Sequence, residues 1–455
     1  MNARALVFAG LAAVAACHAK PAATTAPPAA AEPLAATIDK LATDAVAHKE
    51  TQALSIAVAR HGVLTFAKGY GYADVIGQKL ADAQTVYRIG SLTKQFTAAA
   101  IVQLEEAGKL KLSDDIHTFL PDVPTPSPVT IDQLLHHTSG IPSYTDAPDI
   151  DKIMDRPITP PQIVALVKDM PWGFAPGTRW AYSNTGYVVL GMIIEKVSGE
   201  PYAQYLAKHV FPAAGLVATS YCDETKPNPH RAAGYAIDGS TLKNAVKIDM
   251  SVPFSAGALC STAGDLVRWN AALAGGKVVS PAGYKQMTTS HGIADEEPYG
   301  FGLQLGDVKG HRTVFHNGAI PGFVSELHDF PDDGVTIAVL TNTESHTAGS
   351  TVKVIARAAL NITSDNIAIS AAELAAFAGT YDTPGLGDVA ITVDGDRLAI
   401  QAPDQPKLPA EYRGNDTFFL EEVAAKLSFT RDATSHAVTR MIIDQGGNHI
   451  EAKKK

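Results

Sequence analysis

The chain has 455 residues, 46% hydrophobic and 18% charged, which suits two or three folded units and excludes disorder over most of its length. Its formal net charge is −10 and its one basic run is the terminal Lys453-Lys454-Lys455, so no nucleic-acid-binding surface is expected. Three cysteines without HExxH or CxxC spacing give no expectation of a metal site, and nothing in the composition calls for a cofactor.

Residues 1–16 read as an export signal, with a basic start at Arg4 and a small-residue apolar run too short to span a bilayer permanently. Its end, Val14-Ala15-Ala16-Cys17, resembles the lipobox of bacterial lipoproteins, in which the cysteine is lipidated. Plain signal cleavage beside an incidental cysteine is the alternative. On the first reading Cys17 is a membrane anchor, and the protein is exported to the periplasm-facing side or surface of a bacterial cell. Residues 17–35 are rich in Ala, Pro and Thr, cannot bury a core, and read as a tether. In an exported chain Cys222 and Cys260 either form a disulfide or remain two buried thiols.

Helical periodicity begins at Leu34, Ile38 and Leu41, and "ALSIAVARHGVLTFAKGYG" then alternates as a hairpin turning at His61-Gly62. Between Ser91 and Leu273 the signals are mostly helical. Thr130 caps "IDQLLHH", Thr159 precedes Pro160 at a helix start, and Thr262 with Asp265 forms a capping-box-like opening to a helix that stops at Gly275-Gly276. Strands return in "RTVFHNG", "GFVSELHDF" and "VTIAVLTN", the last two joined by a turn at Pro331-Asp332-Asp333-Gly334, and a helix from about Thr351 to Leu360 closes the unit. Strands at both ends with helices between predict an α+β unit, one antiparallel sheet with packed helices, over 36–365. From 371 to 455 short alternating strands with almost no helical period predict a small antiparallel β-barrel.

"RIGSLTKQFTAAAIVQL" sets Ser91 and Lys94 one helical turn apart, within mutual reach at a helix start whose free N–H groups favour an anion. Burial would discharge Lys94 and make it a base. The same spacing recurs at Ser240/Lys243 and Ser350/Lys353, so the pair alone is a weak signal. It is followed in order by "LLHHTSGI", "PGTRWAYSN", "STAGDL" and "HNGAIPGF". This ordered set resembles the serine β-lactamase and penicillin-binding-protein superfamily, in its branch with class C β-lactamases, D-aminopeptidases, DD-carboxypeptidases and esterases. His136, His137 and His61 read as ordinary turn or helix-end residues.

The resemblance implies that Ser91 is acylated, that Lys94 is its proton partner and that Tyr182 is a general base, its phenol ionised by the positive charge of Lys94. It also implies that Asn184 orients the substrate amide and that the Ser91 and Ala319 amides, the latter following Gly318, form the oxyanion hole. It extends less specifically to the C-terminal region, through "FAGTY", as a lipocalin-like barrel. One departure stands out: the family's usual Lys-Thr-Gly is replaced by His316-Asn317-Gly318. A histidine titrating near 6.5 would weaken recognition of a carboxylate and make activity vary between about pH 5.5 and 7.5. The expected function is a serine hydrolase acting on small peptide (D-amino-acid) amides or esters. A β-lactamase or penicillin-binding protein is one alternative, and a non-catalytic module binding peptidoglycan or a partner is another. Substrate, oligomeric state and the role of the third region stay open.

Overall fold

The computed structural model describes residues 32–455 except 224, 239–240, 296, 364–365, 404, 406, 421–422, 424, 433 and 446–447. The export signal, most of the tether and Cys17 lie outside the described residues. Among those described, no helix is long and apolar enough to cross a membrane.

Strands from the two ends of the catalytic unit meet in one seven-stranded antiparallel sheet. Its spatial order is Lys79–Leu80, Val63–Asp74, Ala53–Arg60, Val335–Thr341, Phe323–Phe330, His311–Ile320 and Gln304–Val308. The join is the ladder from Leu54 opposite Thr341 to Arg60 opposite Val335. His61 and Gly62, with φ of +49° and +75°, make the expected tight turn between the first two long strands. Strand alternation sorts the two faces. Leu54, Ile56, Val58, Ile337 and Val339 pack under the helices Glu32–Ala47 and Thr347–Ala359, while Ala53, Ala57, Ala59, Ala338 and Leu340 face the helical half. Burying each such Ile, Val or Leu contributes about 1.5–3 kcal/mol, and the small alanines let the Ala263–Ala274 helix come close.

The helix caps explain the boundaries. Helices begin after Thr130 and Thr159 as the sequence predicts; Thr130 and Gln133 form a reciprocal capping box, and Gln162 Oε1 accepts the Thr159 N–H at 2.9 Å. Thr262 accepts from the Asp265 N–H at 3.1 Å, but the other half of that box is absent. The buried Asp265 carboxylate instead accepts the N–H groups of Val217, Ala218 and Thr219 at 3.1, 2.8 and 3.0 Å, fixing that loop against the helix. The closing helix starts at Thr347 rather than Thr351, because Ala348 already lies on the buried face with Val352, Ile355 and Ala359. Cys222 and Cys260 form a disulfide with a Cα–Cα distance of 5.2 Å, tying the Leu259–Ser261 strand to the loop before it.

The C-terminal region is a closed barrel of eight antiparallel strands, Gly379–Thr383 pairing with Asn448–Lys454 to shut it. A short helix absent from the sequence expectation, Ala371–Phe377, precedes it. Its signal was the capping box between Ser370 and Glu373. The helix turns Leu374 and Phe377 inward, where Phe377 meets Phe418 and Phe429 at 5.0 Å each, so side chains fill the barrel interior.

Candidate active site

Gly90, at φ +50°, bends the chain into a 3-10 turn, Gly90–Leu92, that runs on into the helix Thr93–Glu106. The helix is buried on nearly every side, which explains its lack of a polar face. Across from it lies the end of the His311–Ile320 strand. A Cβ at Gly90 would sit 3.0 Å from the Ala319 amide nitrogen, and one at Gly318 would sit 2.1 Å from the Ile89 carbonyl oxygen. Only glycines let these two backbones run so close. Ser325 Oγ donates to the Ile89 carbonyl at 2.8 Å and holds the join, so Ser91 and Ala319 line one cavity of about 280 Å³.

Lys94 is fully buried, and its amine lies 3.1 Å from Ser91 Oγ, 2.8 Å from Asn184 Oδ1 and 2.9 Å from the Ala256 carbonyl. No carboxylate is among these partners, and burial lowers the amine's pKa well below its ordinary value. A neutral amine has two N–H bonds and one lone pair. Once the amine is neutral, the two acceptors without a hydrogen of their own, Asn184 Oδ1 and the Ala256 oxygen, can take its N–H bonds and leave its lone pair for the Ser91 hydroxyl. Asn184 heads the helix Asn184–Ser198, capped by Ser183, and its amide is steadied by the Ser143 and Thr145 hydroxyls at 3.4 Å each. Asn184 therefore positions Lys94 besides facing the cavity.

The Tyr182 ring lies 4.7 Å from the Lys94 amine. Burial pushes its phenol well above its ordinary value, and a hydrogen bond with Ser91 opposes that only in part. This runs against the expectation of an ionised phenol, because burial disfavours its charged form. His316 corrects a second expectation. It is 1% exposed, and burial with the nearby Lys94 pushes its pKa down to about 3 rather than leaving it near 6.5. Its Nδ1 meets the Asn317 carbonyl at 2.5 Å and its Nε2 meets the Tyr299 hydroxyl at 2.9 Å. Nδ1–H donates, Nε2 accepts, and the ring braces the wall of the site instead of offering a cation.

Tyr299, which the sequence reading did not single out, and His137, which it took for an ordinary turn or helix-end residue, both belong to this cluster. His137 is buried at φ +60°, accepts the Ser183 N–H on Nδ1 at 3.1 Å, and packs its ring 4.4 Å from Tyr182 and 4.7 Å from Tyr299. The signal for it was its place in "LLHHTSGI". Tyr299 stands in no motif. The later Ser-x-x-Lys pairs are ordinary: Ser350 Oγ donates to the His346 carbonyl, Lys243 pairs with Asp238, and Ser240 lies outside the described residues.

A family model described as Beta-lactamase matches residues 38–362, and a domain of unknown function, DUF3471, matches 363–453. The octameric penicillin-binding protein homologue from Pyrococcus abyssi is 26% identical with a TM-score of 0.68, covering 93% of this chain and 99% of its own. The D-stereospecific amidohydrolase from Streptomyces sp. is 28% identical with a TM-score of 0.63, over 72% of this chain and 99% of its own. The D-amino acid amidase from Ochrobactrum anthropi SV3, complexed with D-phenylalanine, is 26% identical with a TM-score of 0.65, over 73% and 100%. With its family model spanning the whole sheet-and-helix unit around Ser91, the chain belongs to the Beta-lactamase family and is a serine hydrolase.

Proposed function

We propose that this hydrolase cleaves amides or esters of small apolar D-amino acids through an acyl-enzyme on Ser91. The observation that carries the reading is the Lys94 amine, buried, with its pKa lowered by that burial, and 3.1 Å from Ser91 Oγ. Lys94 takes the hydroxyl proton as Oγ attacks the substrate carbonyl carbon. The oxyanion is received by the Ser91 and Ala319 amides, each such donor being worth about 3–4 kcal/mol in the transition state. Tyr182, still protonated, gives its proton to the departing nitrogen or oxygen and is resupplied by Lys94. A water then repeats the steps in reverse and frees the acid.

The cavity narrows the substrate. It is lined by Ile150, Met154, Ile248, Val252 and Ile320, and the one charged side chain among the described lining residues is Asp151. Apolar walls suit an apolar acyl side chain, and Asp151 offers a carboxylate to a substrate ammonium. Among the described lining residues there is no lysine or arginine, and burial disfavours a charged His316, so this lining offers no cation to a carboxylate-bearing β-lactam. Two structural neighbours are named for D-stereospecific amide chemistry, and we take that substrate class for this chain. We further place the enzyme outside the cytoplasm, tethered by lipid on Cys17, on the strength of its first 35 residues.

Mass spectrometry after a fluorophosphonate probe is expected to find one adduct on Ser91. Ser91→Ala should lose the adduct and roughly 1,000-fold or more of the turnover of D-amino-acid anilides and p-nitrophenyl esters. An unlabelled wild type would favour a binding module, and faster turnover of a chromogenic cephalosporin would favour a β-lactamase.

A further inference from the structure

Behind the catalytic wall, three side chains outside the acyl-transfer machinery converge. Asp132 and His136 are one helical turn apart on Ile131–Leu135 and its C-cap, and His291 comes from a segment 159 residues away. Their ligand atoms all lie within 4.8 Å of one another. His291 Nε2 is 3.1 Å from Asp132 Oδ2, and His136 Nδ1 is 3.4 Å from Asp132 Oδ1. Neighbouring ligands of a tetrahedral zinc ion, at bond lengths of about 2.0–2.2 Å, stand about 3.4 Å apart.

The environment of His136 makes this more than a meeting of polar groups. The side chain is 2% exposed, packed against the Phe301 ring at 4.8 Å, and both of its nitrogens face oxygen atoms. Nδ1 faces the Asp132 carbonyl at 3.2 Å as well as its carboxylate, and Nε2 faces the Thr289 carbonyl at 3.4 Å. A neutral imidazole has one N–H and would set its other nitrogen's lone pair against oxygen lone pairs, a clash relieved either by a second ring proton or by a metal cation. A cation between Nδ1 and Asp132 removes that clash, and leaves Nε2–H to donate to Thr289, the outer partner that metal-bound histidines commonly have. The His291 side chain is 58% exposed, which gives an ion its way in and leaves room for a water ligand.

We propose that Asp132, His136 and His291 bind one divalent transition metal ion, with zinc the best match. Two imidazoles and one carboxylate suit that class and not magnesium or calcium. The proposal departs from the expectation of no metal site, which rested on local spacing. The ion is structural. It staples the segment that leads to Tyr299 onto the helix that ends beside His137, and so fixes two residues that pack on Tyr182.

The test uses the full chain without a polyhistidine tag, stripped with a chelator and titrated with Zn²⁺ in a calorimeter and with Co²⁺ in a spectrophotometer. One equivalent should bind, Co²⁺ giving the intense visible bands of a tetrahedral centre and Zn²⁺ raising the unfolding temperature. His291→Ala changes an exposed side chain and should fold normally. It and Asp132→Asn should abolish the bands and weaken Zn²⁺ by more than the roughly 10- to 100-fold that outer-shell changes cost. His48→Ala, at another exposed histidine, should change nothing. Absence of saturable binding, or a loss below about tenfold in His291→Ala, would overturn the proposal and leave a cluster held by protons alone.

Discussion

Lys94 and His316 set the pH behaviour of the site. Because burial lowers the Lys94 pKa, the folded protein has an uncharged amine over a pH range where the unfolded chain is protonated. Its contribution to stability therefore improves as pH rises toward 10.5, and activity is lost as pH falls through the lowered value, about tenfold in kcat/KM per unit. His316, held near 3, takes no part in that limb. His316→Gln, which keeps an acceptor near Tyr299, is expected to reduce kcat while leaving the acidic limb of the kcat/KM profile in place. A moved limb would return the titration to His316. Asp329 is a second buried titrating group, with its pKa raised to about 6 by burial despite the Thr336 hydroxyl at 2.8 Å. Its folded pKa exceeds the unfolded 3.8, so the stability it contributes is present below about pH 4 and lost as pH rises through about 6. Asp329→Asn should therefore gain on the order of 1–3 kcal/mol in urea unfolding at pH 8 and nothing at pH 4.

Two short elements, the Gly90–Leu92 turn and the end of the His311–Ile320 strand, bring their backbones close where we propose that the oxyanion sits. Ala at 318 would press its Cβ on the Ile89 carbonyl and part the Ser91 and Ala319 amides. Gly318→Ala is expected to lower kcat roughly 100-fold or more, with a circular dichroism spectrum like that of the wild type. A variant with full kcat would remove the strand from the oxyanion site. Much of this level was legible in the sequence. Thr130 and Thr159 announce their helices because a cap acts within one turn, and His61-Gly62 announces its hairpin because the turn needs two positive φ angles. The helix at Ala371 was hidden by its seven-residue length, although Ser370 and Glu373 marked it.

At the scale of the whole molecule, the barrel is joined to the catalytic unit through a buried carboxylate. Glu411, on a barrel strand, meets Arg357 of the Thr347–Ala359 helix at 3.2 Å and Arg413 at 2.9 Å. Main-chain bonds from Ile367 N to the Tyr412 carbonyl and from Tyr412 N to Asn366 Oδ1 add to the join. Glu411→Ala strips both guanidiniums of a shared partner and should cost about 1–3 kcal/mol. Scanning calorimetry is expected to show the barrel melting earlier and apart from the catalytic unit; a single unshifted transition would mean the carboxylate does not couple them. The sequence by itself determined the order of the motifs, the placing of Ser91 and Lys94 on one helix turn, the meeting of both termini in one sheet and the alternation that closes the barrel. Each of these depends on side-chain period or on groups a few residues apart. Only the tertiary structure decided that burial disfavours the charged forms of Lys94, His316 and Tyr182, that Cys222 meets Cys260, and that His291 comes to Asp132 and His136. Those outcomes depend on desolvation and distance, and both are set by residues that approach from far along the chain.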